Sequence, residues 1–86
     1  MATTRPRSRV IVRRPGIHGG EPIVRGTRVP VRSIVIELER YGGDVERVAR
    51  GYTISPEEVR AALAYYEAHR AEIDRIIDQR ERDAMA

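Results

Sequence analysis

Residues 44–59 read DVERVARGYTISPEEV, and two helix starts lie within them. Asp44 precedes Val45, Val48 and Ala49, a spacing that puts apolar side chains on one face of a short helix. Its carboxylate suits the N-cap, where it accepts from backbone N–H groups that have no partner inside the helix. Gly51 is expected to stop this helix. Ser55-Pro56-Glu57-Glu58 then supplies a strong second start: a hydroxyl N-cap, proline at the first helical position, and a glutamate that closes a capping box. Two helices joined by so short a connection have the proportions of a helix-turn-helix. The same proportions also serve simply to pack three helices together.

Toward the N-terminus, Val31, Ile34, Val35, Leu38 and Tyr41 recur at helical spacing after Pro30, and Gly42-Gly43 closes that helix. In the other direction, Val59, Ala62, Leu63, Tyr66, Ile73, Ile76 and Ile77 keep one stripe without a breaker. One helix is therefore expected over residues 56–81. At 1.5 Å per residue it would run roughly 39 Å, longer than so small a body covers. Its overhanging end would be free for a partner, and a chain cut after Arg70 is expected to keep a folded body.

Before Pro30 the pattern changes. Arg9-Val10-Ile11-Val12-Arg13 is a β-branched run that fits a strand. Ile23-Val24-Arg25 and Arg28-Val29 flank Gly26-Thr27, which reads as a hairpin closed by a type II′ turn with glycine first. Residues 1–8 carry Arg5 and Arg7 without apolar periodicity and read as a basic arm. Residues 9–81 form one domain and 82–86 a short tail. The fold class is mainly α: a three-helix, helix-turn-helix-like unit with a long C-terminal helix and a small N-terminal β-hairpin.

The 86 residues make one small domain. Twenty are Ile, Val or Leu, there is no Phe or Trp, and there are four Tyr, enough for one modest core. A chain of this size buries only about 60% of its unfolded surface, so a partner would help it. The lack of cysteine excludes a disulfide framework, a thiolate zinc site and a thiol nucleophile. No apolar run approaches the ~20 residues of a membrane helix and no leader stands at the N-terminus, so the cytosol is the expected location.

Charge is distributed unevenly. Residues 1–36 hold eight arginines against the single acid Glu21, whereas residues 37–86 hold eight against twelve acids. All sixteen basic residues are arginine, whose planar fork grips phosphate or carboxylate with two donors. A GC-rich genome would also replace lysine, but it does not explain the asymmetry. The basic front suits DNA, with Arg5, Arg7, Arg9, Arg13 and Arg14 as leading contacts and Arg25, Arg28 and Arg32 behind them. In a two-residue hairpin Arg25 and Arg28 would stand opposite each other, an unfavourable pairing. Either Glu21 or Glu37 offsets it, or an external anion does.

Catalysis finds little support. His18 and His69 lie far apart without metal-ligand spacing, and Thr27, Thr53 and Ser55 have no neighbouring histidine. Glu57 and Glu58 read as first-turn helix charges. No enzyme activity, cofactor or metal is expected. A short strand with apolar side chains on both faces suggests a homodimer, with that strand or the late helix crossing to the partner.

The stretches GIHGGEPIVRGTRVPVRSIV, YGGDVERVARGYTISPEEV and AALAYYEAHRAEIDRII together resemble the VapB-like antitoxin family, a small bacterial domain long known only as one of unknown function. The resemblance covers about residues 9–78. It implies a homeodomain-like or winged-helix-like unit behind an N-terminal hairpin, and an antitoxin paired with a PIN-like ribonuclease toxin. Such a protein would bind and neutralise the toxin and repress its own operon. The sequence departs from the family pattern at Arg47, where a glutamate commonly completes a second capping box, and in its arginine-rich front. On this resemblance the toxin contacts fall on Tyr65, Arg70, Ile73, Arg75, Ile76 and Ile77. The acidic face around Glu72, Asp74 and Asp78 would meet a basic rim on the nuclease. A stand-alone DNA-binding regulator, or a purely structural dimerisation module, remains the other reading.

Overall fold

Both glycines after Arg40 have positive φ, 66° at Gly42 and 86° at Gly43, and they close the first helix as the sequence suggests. Gly42 N donates to Glu39 O and Gly43 N to Leu38 O, which satisfies two carbonyls that the helix leaves open. That helix is α1, Val31–Arg40. Asp44 then caps α2, Val45–Tyr52, accepting from Arg47 N at 3.1 Å. Ser55 and Glu58 form both halves of the capping box that opens α3, Pro56–Ala68. A computed structural model describes residues 10–85.

Two boundaries differ from expectation. Gly51 does not stop α2, which continues through Tyr52 and ends with Thr53 in the left-handed region, at φ 57° and ψ 46°. Thr53 N then donates to Arg50 O and Ile54 N to Ala49 O. Ending one residue later brings Ile54 back against the core beside Ala49, the apolar contact that usually accompanies this kind of closure.

The second difference is larger. The expected helix over 56–81 is two helices, because His69 leaves helical geometry at φ −130° and ψ 39°. The chain resumes as α4, Arg70–Met85. No glycine or proline causes this break. The cause is tertiary: turning at His69 lays α4 back along α1, and Ile73 becomes fully buried between them and the rest of the core. Ile76 and Ile77 pack half-buried behind it. The stripe is therefore not an overhang, and the body is not complete without α4.

The core is aliphatic, with Ile34, Val31, Val59 and Ala62 at its centre and Val48 from α2 beside them. A two-stranded antiparallel sheet closes one end. Its strands are β1, Ile11–Val12, and β2, Ile23–Val24, with Ile11 opposite Val24 and Val12 opposite Ile23. Between the strands lies a single 3-10 turn at His18–Gly20. Among the described residues the fold is thus mainly helical, four α-helices and a small sheet near the N-terminus.

The predicted hairpin after β2 takes another form. Thr27 N donates to Val24 O, so Arg25 and Gly26 are the central residues of the turn. Gly26 is the second of them and has φ 80°, which makes the turn type II and not II′. Arg25 is consequently inside the turn and Arg28 directly after it, so the two do not form a strand pair.

Candidate nucleic-acid interface

Three backbone anchors set the arginines at this end of the molecule. Arg14 O accepts from Ile17 N at 3.0 Å, which folds the chain after β1. Arg25 N donates to Val10 O at 2.8 Å, tying the turn to the first strand. Arg28 O accepts from His18 Nε2 at 2.9 Å; a carbonyl can only accept, so that ring nitrogen carries a hydrogen. The Thr27 hydroxyl braces the turn from within, donating to Val24 O at 2.8 Å and accepting from Val29 N at 2.9 Å.

The result is an open concavity of about 360 Å³ walled by Arg14, Arg25 and Arg28, with Ile17, Ile23, Gly26 and Thr27 completing it. All three arginines are exposed. No carboxylate lines the concavity, and among the described residues none pairs with these guanidinium groups. The two acids that sequence reasoning offered as neutralisers are engaged elsewhere. Glu21 is buried and accepts from Arg32 Nε at 2.8 Å and Arg80 Nη2 at 2.6 Å. Glu37 pairs with Arg40 at 3.3 Å on the opposite flank of α1. Three planar cations around one unneutralised hollow are equipped to hold an anionic oxygen cluster through paired N–H donors.

The other arginines of the predicted DNA set fare differently. Arg13 is bound internally to Glu72, to the Tyr65 hydroxyl at 3.1 Å and to Gly20 O at 3.2 Å. Its hydrogen bond to Glu72 holds the guanidinium above its ordinary pKa. Arg32 is committed to Glu21. Arg5, Arg7 and Arg9 lie outside the described residues.

The predicted toxin contacts do not form one patch. Ile73 is in the core. Tyr65 stacks on His69 with ring centroids 4.0 Å apart and receives Arg13 on its hydroxyl. Arg70 lies over the Tyr66 ring at 4.7 Å. Arg75 has no partner among the described residues, and Ile76 and Ile77 keep one exposed edge each. At the expected recognition helix, Glu58 is spent in the capping box and Arg60 points to Glu46 at 3.8 Å.

A second hollow, of about 300 Å³ between α1 and α2, has mixed chemistry. Glu37, Tyr41, Arg47, Val48, Gly51 and Tyr52 line it, with the Arg47 guanidinium 4.0 Å from the Tyr41 ring centroid. Burial, reinforced by the Glu37 charge, pushes the Tyr52 hydroxyl above its ordinary pKa of 10.0. Among the described residues no group of His, Cys, Asp and Glu could hold a metal ion, and no helix is long and apolar enough to cross a membrane.

Sequence reasoning missed two positioning residues. His18 sets Arg28, and Arg80 reaches across from α4 to His18 O at 3.1 Å as well as to Glu21. Only the glycines flanking His18 signalled an unusual backbone there, and nothing local pairs residues 62 positions apart.

Residues 11–66 match the family model described as "Protein of unknown function (DUF433)". The chain belongs to the DUF433 family. The DUF433 chain is 38% identical over 61 residues to the uncharacterized protein y4eO of Sinorhizobium fredii, an alignment spanning 70% of this chain and 27% of that one. It thus spans about a quarter of the length of that relative. The solved structure of a DUF433 member from Anabaena variabilis superposes with a TM-score of 0.69 at 31% identity, covering 80% of this chain and 68% of the other. The match contains both strands, the concavity, α1, α2 and most of α3, so the hollow is built from the part of the chain that defines the family.

Proposed function

We propose that this DUF433 domain is a DNA-binding antitoxin, which represses its own operon and neutralises a PIN-like ribonuclease by binding it. The observation that carries the DNA half is the hollow of Arg14, Arg25 and Arg28 without a carboxylate. A duplex presents closely spaced phosphates, and each arginine that neutralises one releases condensed counterions. In this reading α2, the turn at Thr53 and α3 act as a helix-turn-helix-like scaffold. The phosphate grip comes from the type II turn, because the start of α3 carries Glu57 and Glu58. The toxin half rests on the resemblance to VapB-like antitoxins and on α4, whose outer face carries Asp74, Asp78 and Glu81. An acidic helix of this kind fits the basic rim with which a nuclease holds RNA.

A stand-alone DNA-binding regulator is the second reading. The burial of Ile73 favours it, because it removes the largest apolar contact from the surface offered to a toxin.

The test has two arms. The chain is titrated with the DNA upstream of its own reading frame, beside the variant Arg14→Ala/Arg25→Ala/Arg28→Ala; loss of binding in the variant, with an unchanged helical spectrum, is the expected outcome. The same chain is then co-expressed with a PIN-like nuclease, taken from the adjacent reading frame if that frame encodes one. Restored growth supports the antitoxin, growth arrest with intact DNA binding leaves the regulator, and a variant that binds DNA as tightly as the wild type removes the DNA reading.

A further inference from the structure

We propose that α4 is an exchangeable clasp, and that a second copy of this chain receives it. In such a dimer α3 and α4 straighten into one helix, and each α4 seats on the other copy's body. The proposal stands apart from the DNA reading.

The break at His69 is the first observation. From Glu57 to Met85 the sequence contains neither glycine nor proline, and most of its residues are good helix formers. Hydrogen bonding nearly bridges the break: His69 N donates to Tyr65 O and Tyr66 O, and Ile73 N donates to His69 O at 3.0 Å. One residue leaves helical geometry, so straightening it restores regular helix and creates no strain. Local preference thus favours the open helix, and tertiary contacts favour the folded one.

Those tertiary contacts are the second observation. Ile73 fills the core, Glu72 binds Arg13, and Arg80 binds Glu21 and His18 O. Every receiving group belongs to the body that ends before His69. A second copy offers the same receiving groups in the same geometry, so an exchanged α4 loses no contact. Exchange of an identical element between protomers is a low-cost route to a dimer when the hinge is short and the closed contacts few. Here Ile73 is the only α4 side chain that is buried, and residues 78–85 are all exposed, with Arg80 as their one clasp to the body.

Charge reversal tests this directly. Arg13 is exposed, Glu72 is half-buried, and neither belongs to the buried core, so Arg13→Glu and Glu72→Arg each retain it. Alone, each sets like charges against each other at the clasp, whether α4 folds onto its own body or a copy's. In an exchanged heterodimer both clasps are restored, one in each direction. The two variants are refolded together at millimolar concentration and weighed by native mass spectrometry. A heterodimer at twice the 9.8 kDa chain mass, enriched severalfold over random pairing, is the expected result. Monomers only, or homodimers and heterodimers in random proportion, overturn the proposal.

Discussion

Among the described residues Thr53 is the one β-branched residue held at positive φ, a conformation that costs an L side chain roughly 1–2 kcal/mol. It is there because the turn between α2 and α3 needs a left-handed residue and because Ile54 must then return to the core. Thr53→Gly should therefore raise stability by about 0.5–1 kcal/mol, somewhat less than the relief of strain because glycine gains freedom in the unfolded chain. Denaturant unfolding measures it, and a destabilised variant would mean that the threonine side chain makes a contact of its own. Tyr52 gives a second expectation. Its folded pKa lies above 10.0, so the neutral form is favoured in the native state. Stability is full below pH 10 and declines as pH rises through the raised value, where the native hydroxyl must ionise in place. Tyr52→Phe should flatten that alkaline decline; a variant that declines as steeply as the wild type would assign it to other groups. At this scale the sequence showed that Gly26 takes positive φ, but not which turn it serves. Types II and II′ both call for glycine, and only the bond from Thr27 N to Val24 O separates them. That single shift turns Arg25 and Arg28 from an opposed pair into two walls of a hollow.

The elements were legible where local chemistry fixes them. Asp44 and the Ser55–Glu58 box mark the starts of α2 and α3 because caps are interactions between near neighbours. The break at His69 was not legible, since residues 56–85 contain no helix breaker after Pro56 and the deciding contacts come from α1, Arg13 and Glu21, all distant in sequence. This difference carries a stability prediction. Ile73→Ala should cost about 2–5 kcal/mol, as for other fully buried aliphatic truncations, while Ile77→Ala at the half-buried edge should cost less than half as much. A chain cut after Arg70 loses Ile73 and both arginine clasps together, against a total stability for so small a domain near 5 kcal/mol. Its circular dichroism should show a largely unfolded chain. A truncated chain that unfolds cooperatively near the wild-type midpoint would show that the α1–α3 body stands alone.

Over the whole molecule, the uneven charge along the chain becomes a division in space, but a narrower one than composition suggests. The basic front is partly consumed: Arg13 and Arg32 bind Glu72 and Glu21, and so hold the N-terminal segment to α4 and α1. What remains free among the described residues of the front is the trio around the hollow. Composition cannot separate structural arginines from available ones, because the acids that claim them lie up to 59 positions away. If this trio grips phosphate as proposed, the salt dependence of DNA binding must run through it. DNA affinity is measured across a range of salt concentrations for the wild type and for Arg14→Ala/Arg25→Ala/Arg28→Ala. If each arginine neutralises one phosphate, the slope of log affinity against log salt should become shallower by about 2–3 in the variant. Equal slopes for the two proteins would contradict the claim.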